Sequence, residues 1–179
     1  MKKIFLCIAI LILALGTSCY RESNNTVLQQ KGKSQTTLLQ LLEQIDSLGR
    51  FGDNYWVVYK DYIAEAEEFG EEYPEDPMSA EFLYKAGVLG MKVAEASEDK
   101  EEKYFYSQKA LSIFDAILLI YPDFYEVKNC FLYKGVVYDY LLQDYESAEI
   151  CYKEFIARYP DDSLTMNIES LQYLGKSPE

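Results

Sequence analysis

One piece of punctuation recurs three times in this chain and limits what it can fold into. Tyr-Pro occurs as Tyr73-Pro74, Tyr121-Pro122 and Tyr159-Pro160, each followed by an acid, Glu75, Asp123 or Asp161. Each proline stands five residues after an apolar side chain, Phe69, Ile117 or Phe155. Proline has no amide hydrogen and pushes the residue before it out of the helical region, so a helix running into Tyr-Pro stops there. The acids that follow suit the start of the next helix. Asp76 before Pro77 predicts an N-cap with proline at the first helical position, Asp123 with Glu126 predicts a capping box, and Asp144 predicts another start after a short turn. Between the stops, Phe82-Leu83-Tyr84-Lys85 returns 49 residues later as Phe131-Leu132-Tyr133-Lys134. A self-similar chain of this kind is built from units that bury their apolar faces only by stacking on their neighbours.

The expected elements are therefore helices. Leu38, Leu41, Leu42, Ile45 and Leu48 form an apolar stripe at helical spacing over 36–48. Further helices are expected at about 54–72, 78–96, 103–120, 126–142, 145–159 and 163–174. The last carries Leu164, Ile168, Leu171 and Leu174 on one face and is expected to cap the stack. No alternating apolar–polar run bounded by turns argues for a sheet, so the fold class is all-α. It reads as a short solenoid of antiparallel helical hairpins, at about 78–122 and 126–160, within a domain covering 35–179.

The spacing resembles that of tetratricopeptide (TPR) repeats. Phe131, Gly135 and Tyr138 match the large aromatic, the glycine and the tyrosine of that family's first helix; Ala148, Tyr152 and Pro160 match its second helix. Ala110, Phe114 and Pro122 repeat the second-helix spacing, and Phe82, Ala86 and Leu89 the first. The likeness covers about residues 54–174. The chain departs from the pattern in three places. Lys85 and Lys134 stand where leucine is usual. One residue is inserted between Gly135 and Ala148, and 12 between Ala86 and Ala110. The second insertion includes the charged run Glu98 to Lys103, read as a solvated loop or as longer helix ends.

The chain opens with an export signal. Lys2 and Lys3 precede an apolar run of 12 residues, Ile4 to Leu15. A helix of that length spans only about 18 Å, short of a hydrocarbon core of about 30 Å, so residues 1–18 read as a signal peptide. Gly16, Thr17 and Ser18 before Cys19 resemble a bacterial lipobox, which implies cleavage before Cys19 and lipid attachment to it. The alternative is plain secretion with Cys19 incidental. Tyr20 follows, and by analogy with enteric sorting the absence of an aspartate there points to the outer membrane, with the body facing the periplasm. The polar stretch up to Ser34 reads as a flexible tether, residues 19–34. Together, lipobox, tether and repeats resemble the TPR lipoproteins of Gram-negative outer membranes, which include the family serving the β-barrel assembly machinery.

Composition excludes several chemistries. The net charge is −13, and removing Lys2 and Lys3 makes it −15, which disfavours nucleic acid as a partner. There is no histidine, which removes the commonest general base, the usual hydrolase triads and most zinc sites. No glycine-rich phosphate loop or calcium loop occurs, so no catalytic residue, metal or cofactor is assigned. Glu65, Glu67, Glu68, Glu71 and Glu72 read as the wet face of a helix. Of the four cysteines, Cys7 leaves with the signal and Cys19 is the lipidation site. Cys130 and Cys151 read as small core residues, with a bond between neighbouring helices as the alternative. Among the 17 tyrosines, Tyr138, Tyr145, Tyr152 and Tyr159 fall where the repeat packs its core or closes its turn. Tyr20, Tyr62 and Tyr140 are less constrained.

TPR proteins bind extended segments in a groove lined by first helices. The resemblance carries that groove onto Ala80, Leu83, Gly87, Gly90 and Met91, and onto Asn129, Leu132, Val136, Asp139 and Tyr140. The expected occupant is a hydrophobic segment of an envelope protein; the alternative is that the 36–48 helix fills the groove itself. The implied function is an envelope scaffold or adaptor without enzymatic activity, accessory in its narrower form to outer-membrane protein assembly. The rival is an envelope ligand- or glycan-binding protein, or a carbohydrate-active enzyme, using tyrosines and paired carboxylates.

Overall fold

The computed structural model describes residues 26–47 and 55–169. Residues 1–25 with Cys19, and Leu48, Leu171 and Leu174, lie outside them. The described residues fold as an all-α helical repeat with no strand. Helix α1 runs through 26–47, followed by α2 (Tyr55–Glu72), α3 (Ser79–Ala96) and α4 (Lys100–Ile120). Then come α5 (Val127–Val136), a π-helical continuation (Val137–Leu142), α6 (Tyr145–Arg158) and α7 (Ser163–Glu169). The charged run resolves into both expected parts. Asp99 caps α4 by accepting from the Glu101 amide at 2.8 Å, and α4 begins at Lys100, three residues before the expected start.

Three hairpins stack side by side, not two. Helix α1 belongs to the body. Leu38 is fully buried in the main core, and Lys31, Ser34 and Gln35 reach Asp76 (2.6 Å), Glu65 (2.5 Å) and Met78 (2.8 Å). These contacts, with Ile45 and Asp46 facing Tyr55 to Tyr59 and Lys92 to Ala96 across a cleft, set α1 antiparallel to α2 and parallel to α3. Residues 26–34, expected as tether, are therefore helical and partly held by ion pairing. Over 26–34 the polar sequence is that of an edge helix with one half-buried row, Lys31 and Ser34.

The three Tyr-Pro stops build one turn three times. Tyr73 N–H donates to Phe69 O, Asp76 N–H to Tyr73 O, and Ser79 N–H to Asp76 O. The ladder recurs at Tyr121, Phe124 and Val127, and at Tyr159, Asp162 and Thr165, with every N···O between 2.8 and 3.1 Å. In the outer turns a hydroxyl six residues on locks the tyrosine carbonyl: Ser79 onto Tyr73 O (2.6 Å) and Thr165 onto Tyr159 O (2.7 Å). An aspartate accepts the amide two residues ahead, Asp76 from Met78 and Asp162 from Leu164. The middle turn has Phe124 and Val127 instead, and Phe124 packs edge-on against Tyr84.

Two expected caps differ in detail. Asp76 closes the turn and the α3 N-cap is Met78, without a side-chain bond. No capping box forms at α5: the helix starts at Val127 with Glu126, not Asp123, as its N-cap, and Glu126 accepts from Asn129. Asp144 caps α6 as expected, through Ser147 N–H at 3.1 Å.

The turn aspartates make stability depend on acid. Burial pushes the Asp76 carboxyl up, but Lys31 and the Met78 amide outweigh it and hold it below its ordinary 3.8. Lys128 holds Asp162 below the same value. A carboxyl depressed by folding adds stability that is complete above its unfolded pKa and is lost as pH falls through the folded one. Unfolding free energy from urea titrations is therefore expected to fall as pH drops below 3.8, and Asp76→Asn to flatten that fall.

Glycines set how closely the helices approach. A Cβ on Gly87 would stand 2.6 Å from Phe114, and one on Gly135 would stand 2.5 Å from Tyr152. Phe114 is fully buried and Tyr152 nearly so, hence each glycine seats the aromatic ring of the second helix of its own hairpin.

The residue inserted between Gly135 and Ala148 is accommodated by the π-helical segment. A π turn holds one residue more than an α turn, so an added residue is absorbed there without rotating Gly135 or Ala148 away from the core. Gln143 ends the segment at φ 56°, and the Asp144 amide returns to Tyr138 O at 2.8 Å. The left-handed region costs a side-chain-bearing residue roughly 1–2 kcal/mol and a β-branched one more. Gln143→Gly is expected to be neutral or stabilising by up to about 1 kcal/mol and Gln143→Val destabilising by more than about 1 kcal/mol, read by thermal unfolding.

Candidate functional site

The first helices α1, α3 and α5 should line one face, and the two halves of the expected groove fare differently there. On α3, Ala80 and Leu83 are each 6 % exposed, and Gly87 and Gly90 are buried. Leu83 packs where a Cβ on Gly70 of α2 would stand, Gly87 faces Phe114, and Gly90 faces Ala110 and the Tyr106 carbonyl of α4. Leu83, Gly87 and Gly90 thus face helices of their own chain and offer a partner no wall, and Ala80 borders a small cavity with Pro74, Pro77, Ile120 and Tyr121. Only Met91 keeps a half-buried surface. Small residues on a helix allow close contact with another helix, and α4 makes that contact at Gly87 and Gly90, as α2 does at Leu83.

On α5 the expected residues are more open. Asn129, Leu132, Val136 and Asp139 are half-buried, and Tyr140, in the π segment, is 62 % exposed. Asn129 donates to Glu126, and Asp139 accepts from Tyr152 Oη at 3.2 Å. Leu132 packs against the smaller core of Ala148, Tyr152, Phe155 and Ile168. Tyr84 and Tyr133 stack at 6.3 Å between α3 and α5 and join the two halves.

The tyrosine readings divide as well. Tyr152 is 4 % exposed, and Tyr138 and Tyr159 are half-buried. Tyr145 is 56 % exposed and stands outside the core, whereas Tyr62, read as less constrained, has no exposed surface. Cys130 and Cys151 are free thiols. Burial, with the charge of Glu126, pushes Cys130 up to about 12, so it behaves as a small apolar core residue.

A second feature was not expected from the sequence. An open cleft of about 590 Å³ lies between α1, α2 and α3. Tyr55, Trp56 and Tyr59 form its aromatic wall, Lys85 and Lys92 rise from α3, and Asp46 and Glu95 also border it. The signal was present in Tyr55-Trp56-x-x-Tyr59 and in Lys85, which replaces the leucine usual in the repeat, but only packing against α1 brings these residues together. Among the described residues no helix is long and apolar enough to cross a membrane, and no cluster of candidate metal ligands occurs.

The fold defines the class, a short all-α helical-repeat protein. No family model, curated protein or solved structure matches the chain.

Proposed function

We propose that this chain is a lipid-anchored interaction scaffold of the bacterial envelope, held through Cys19 and presenting its repeat face to another envelope protein. The observation that carries the reading is the α5 surface. Leu132 and Val136 are half-buried on α5, and Tyr140, on the π-helical continuation of that helix, is 62 % exposed. Tyrosine is among the side chains that most often dominate binding energy when a partner covers them. The π segment supports this, since such segments are frequent at functional sites and this one carries the exposed ring. The scaffold is not an enzyme, and it serves outer-membrane protein assembly in the narrower form of the reading.

Two variants test it. Cys19→Ala is expected to shift the protein from the membrane fraction to the soluble periplasmic fraction. Tyr140→Asp, at an exposed site that leaves folding intact, is expected to reduce co-purification of the envelope partner from cross-linked cells by at least about tenfold, the loss that hot-spot truncation brings. Unchanged fractionation of Cys19→Ala would remove the anchor, and unchanged co-purification of Tyr140→Asp would remove the α5 face.

A further inference from the structure

We infer that the cleft between α1, α2 and α3 is a binding site for an organic anion bearing a flat apolar group, with Lys85 taking the charge and Trp56 and Tyr59 the apolar part. This stands apart from the partner reading, whose face is on α5. The aromatic wall is continuous. Trp56 and Tyr59 meet edge-on at 5.4 Å and 88°, and Tyr55 lies 3.9 Å from Trp56. Rings touching one another in this way leave no space between them for a caged cation, and the two lysines would repel one. They form instead a surface against which a flat group can lie.

The charges in the cleft balance in number but not in position. Asp46 and Glu95 share it with Lys85 and Lys92, and Glu95 lies one turn beyond Lys92 on α3. Lys85 lies two turns back, about 15 Å along the axis from Glu95 at about 1.5 Å per residue. Glu81, one turn before Lys85, already accepts from Tyr125 Oη at 2.6 Å. Lys60, Lys109, Lys128 and Lys134 each hold a carboxylate within 2.6 Å, while among the described residues Lys85 makes no ion pair. Lys85, a half-buried residue without an ion pair among the described residues of a chain of net charge −13, offers its ammonium to a ligand's anion. A carboxylate would replace the water on it with charge-assisted hydrogen bonds, while the attached ring covers aromatic surface. A free aromatic acid and the carboxyl end of a peptide with a terminal aromatic residue share this chemistry.

Trp56 is the chain's one tryptophan, so its fluorescence reports on this wall alone. The experiment titrates the purified full-length protein with N-acetyl-phenylalanine, with its neutral amide, and with a peptide ending in phenylalanine. The expected result is a saturable change in emission with Kd below about 1 mM for a carboxylate ligand, and binding at least about tenfold weaker for the amide. Lys85→Gln is expected to bring the acid down to the level of the amide, and Lys33→Gln, at an exposed site on α1, to leave it unchanged. Circular dichroism of both variants checks that the helices persist. Tighter binding of the peptide than of the free acid would assign the ligand to a chain terminus, and equal binding would assign it to a small acid; either supports the site. Equal affinity for acid and amide, no effect of Lys85→Gln in a folded variant, or no saturable response would overturn it.

Discussion

Phe114→Ala is expected to lower the unfolding free energy by about 3–5 kcal/mol, the usual cost of removing a fully buried ring. Phe114 stands on α4 with no exposed surface, against Gly87 of α3 and tilted at 5.9 Å to Tyr133 of α5. It therefore joins two hairpins, and its loss weakens both the unit and the interface between units that stabilises a repeat protein. The pairing with Gly87 makes a sharper test. Gly87→Ala alone forces its methyl toward a ring atom at 2.6 Å, and the overpacking, about 1–3 kcal/mol, exceeds the roughly 1 kcal/mol that alanine gains in a helix. In the Phe114→Ala background that methyl enters vacated space. The double variant is then expected to be more stable than the sum of the two losses by at least about 0.5 kcal/mol in a urea double-mutant cycle. Strict additivity would mean that Gly87 does not seat this ring.

The second large effect concerns α1. Leu38→Ala is expected to cost about 2–5 kcal/mol, because Leu38 has no exposed surface and lies in the main core. Leu28→Ala, ten residues earlier on the same helix at 65 % exposure, is expected to change stability by less than about 0.5 kcal/mol. The contrast separates a helix packed into the body from one attached only by its chain. If Leu38→Ala were as mild as Leu28→Ala, α1 would not belong to the first hairpin, and the cleft between α1, α2 and α3 would lose one wall.

What could be read from the sequence follows from which interactions are local. Helix ends at Tyr73, Tyr121 and Tyr159 were legible because proline acts on its immediate neighbours, and the repeated hydrogen-bond ladder there shows one local cause acting three times. The apolar stripe on α1 was legible from Leu38, Leu41, Leu42 and Ile45. Its polar beginning was not, since Lys31 and Ser34 are ordered by Asp76 and Glu65, 45 and 31 residues away in sequence. The inserted residue after Gly135 was visible as a count, but its π-helical form depends on keeping both flanking helices in register with the core. On the candidate face, periodicity could not decide whether Ala80, Leu83 and Gly87 meet a partner or a neighbouring helix. Small and apolar residues suit both, and only the positions of Gly70 and Phe114 decide it for Leu83 and Gly87. The cleft was hidden for the same reason, as its aromatic wall and its lysines come from different hairpins.

On the proposed function, the α5 face holds a protein partner in the envelope. This is tested most directly by placing a photo-crosslinking amino acid at Tyr140 and, separately, at Leu119 of α4, which is 82 % exposed. Both proteins would be illuminated in living cells and their adducts identified. One dominant envelope-protein adduct is expected from position 140 and none of that protein from position 119. Equal adducts from the two positions, or none from position 140 in a properly anchored protein, would contradict the proposed function.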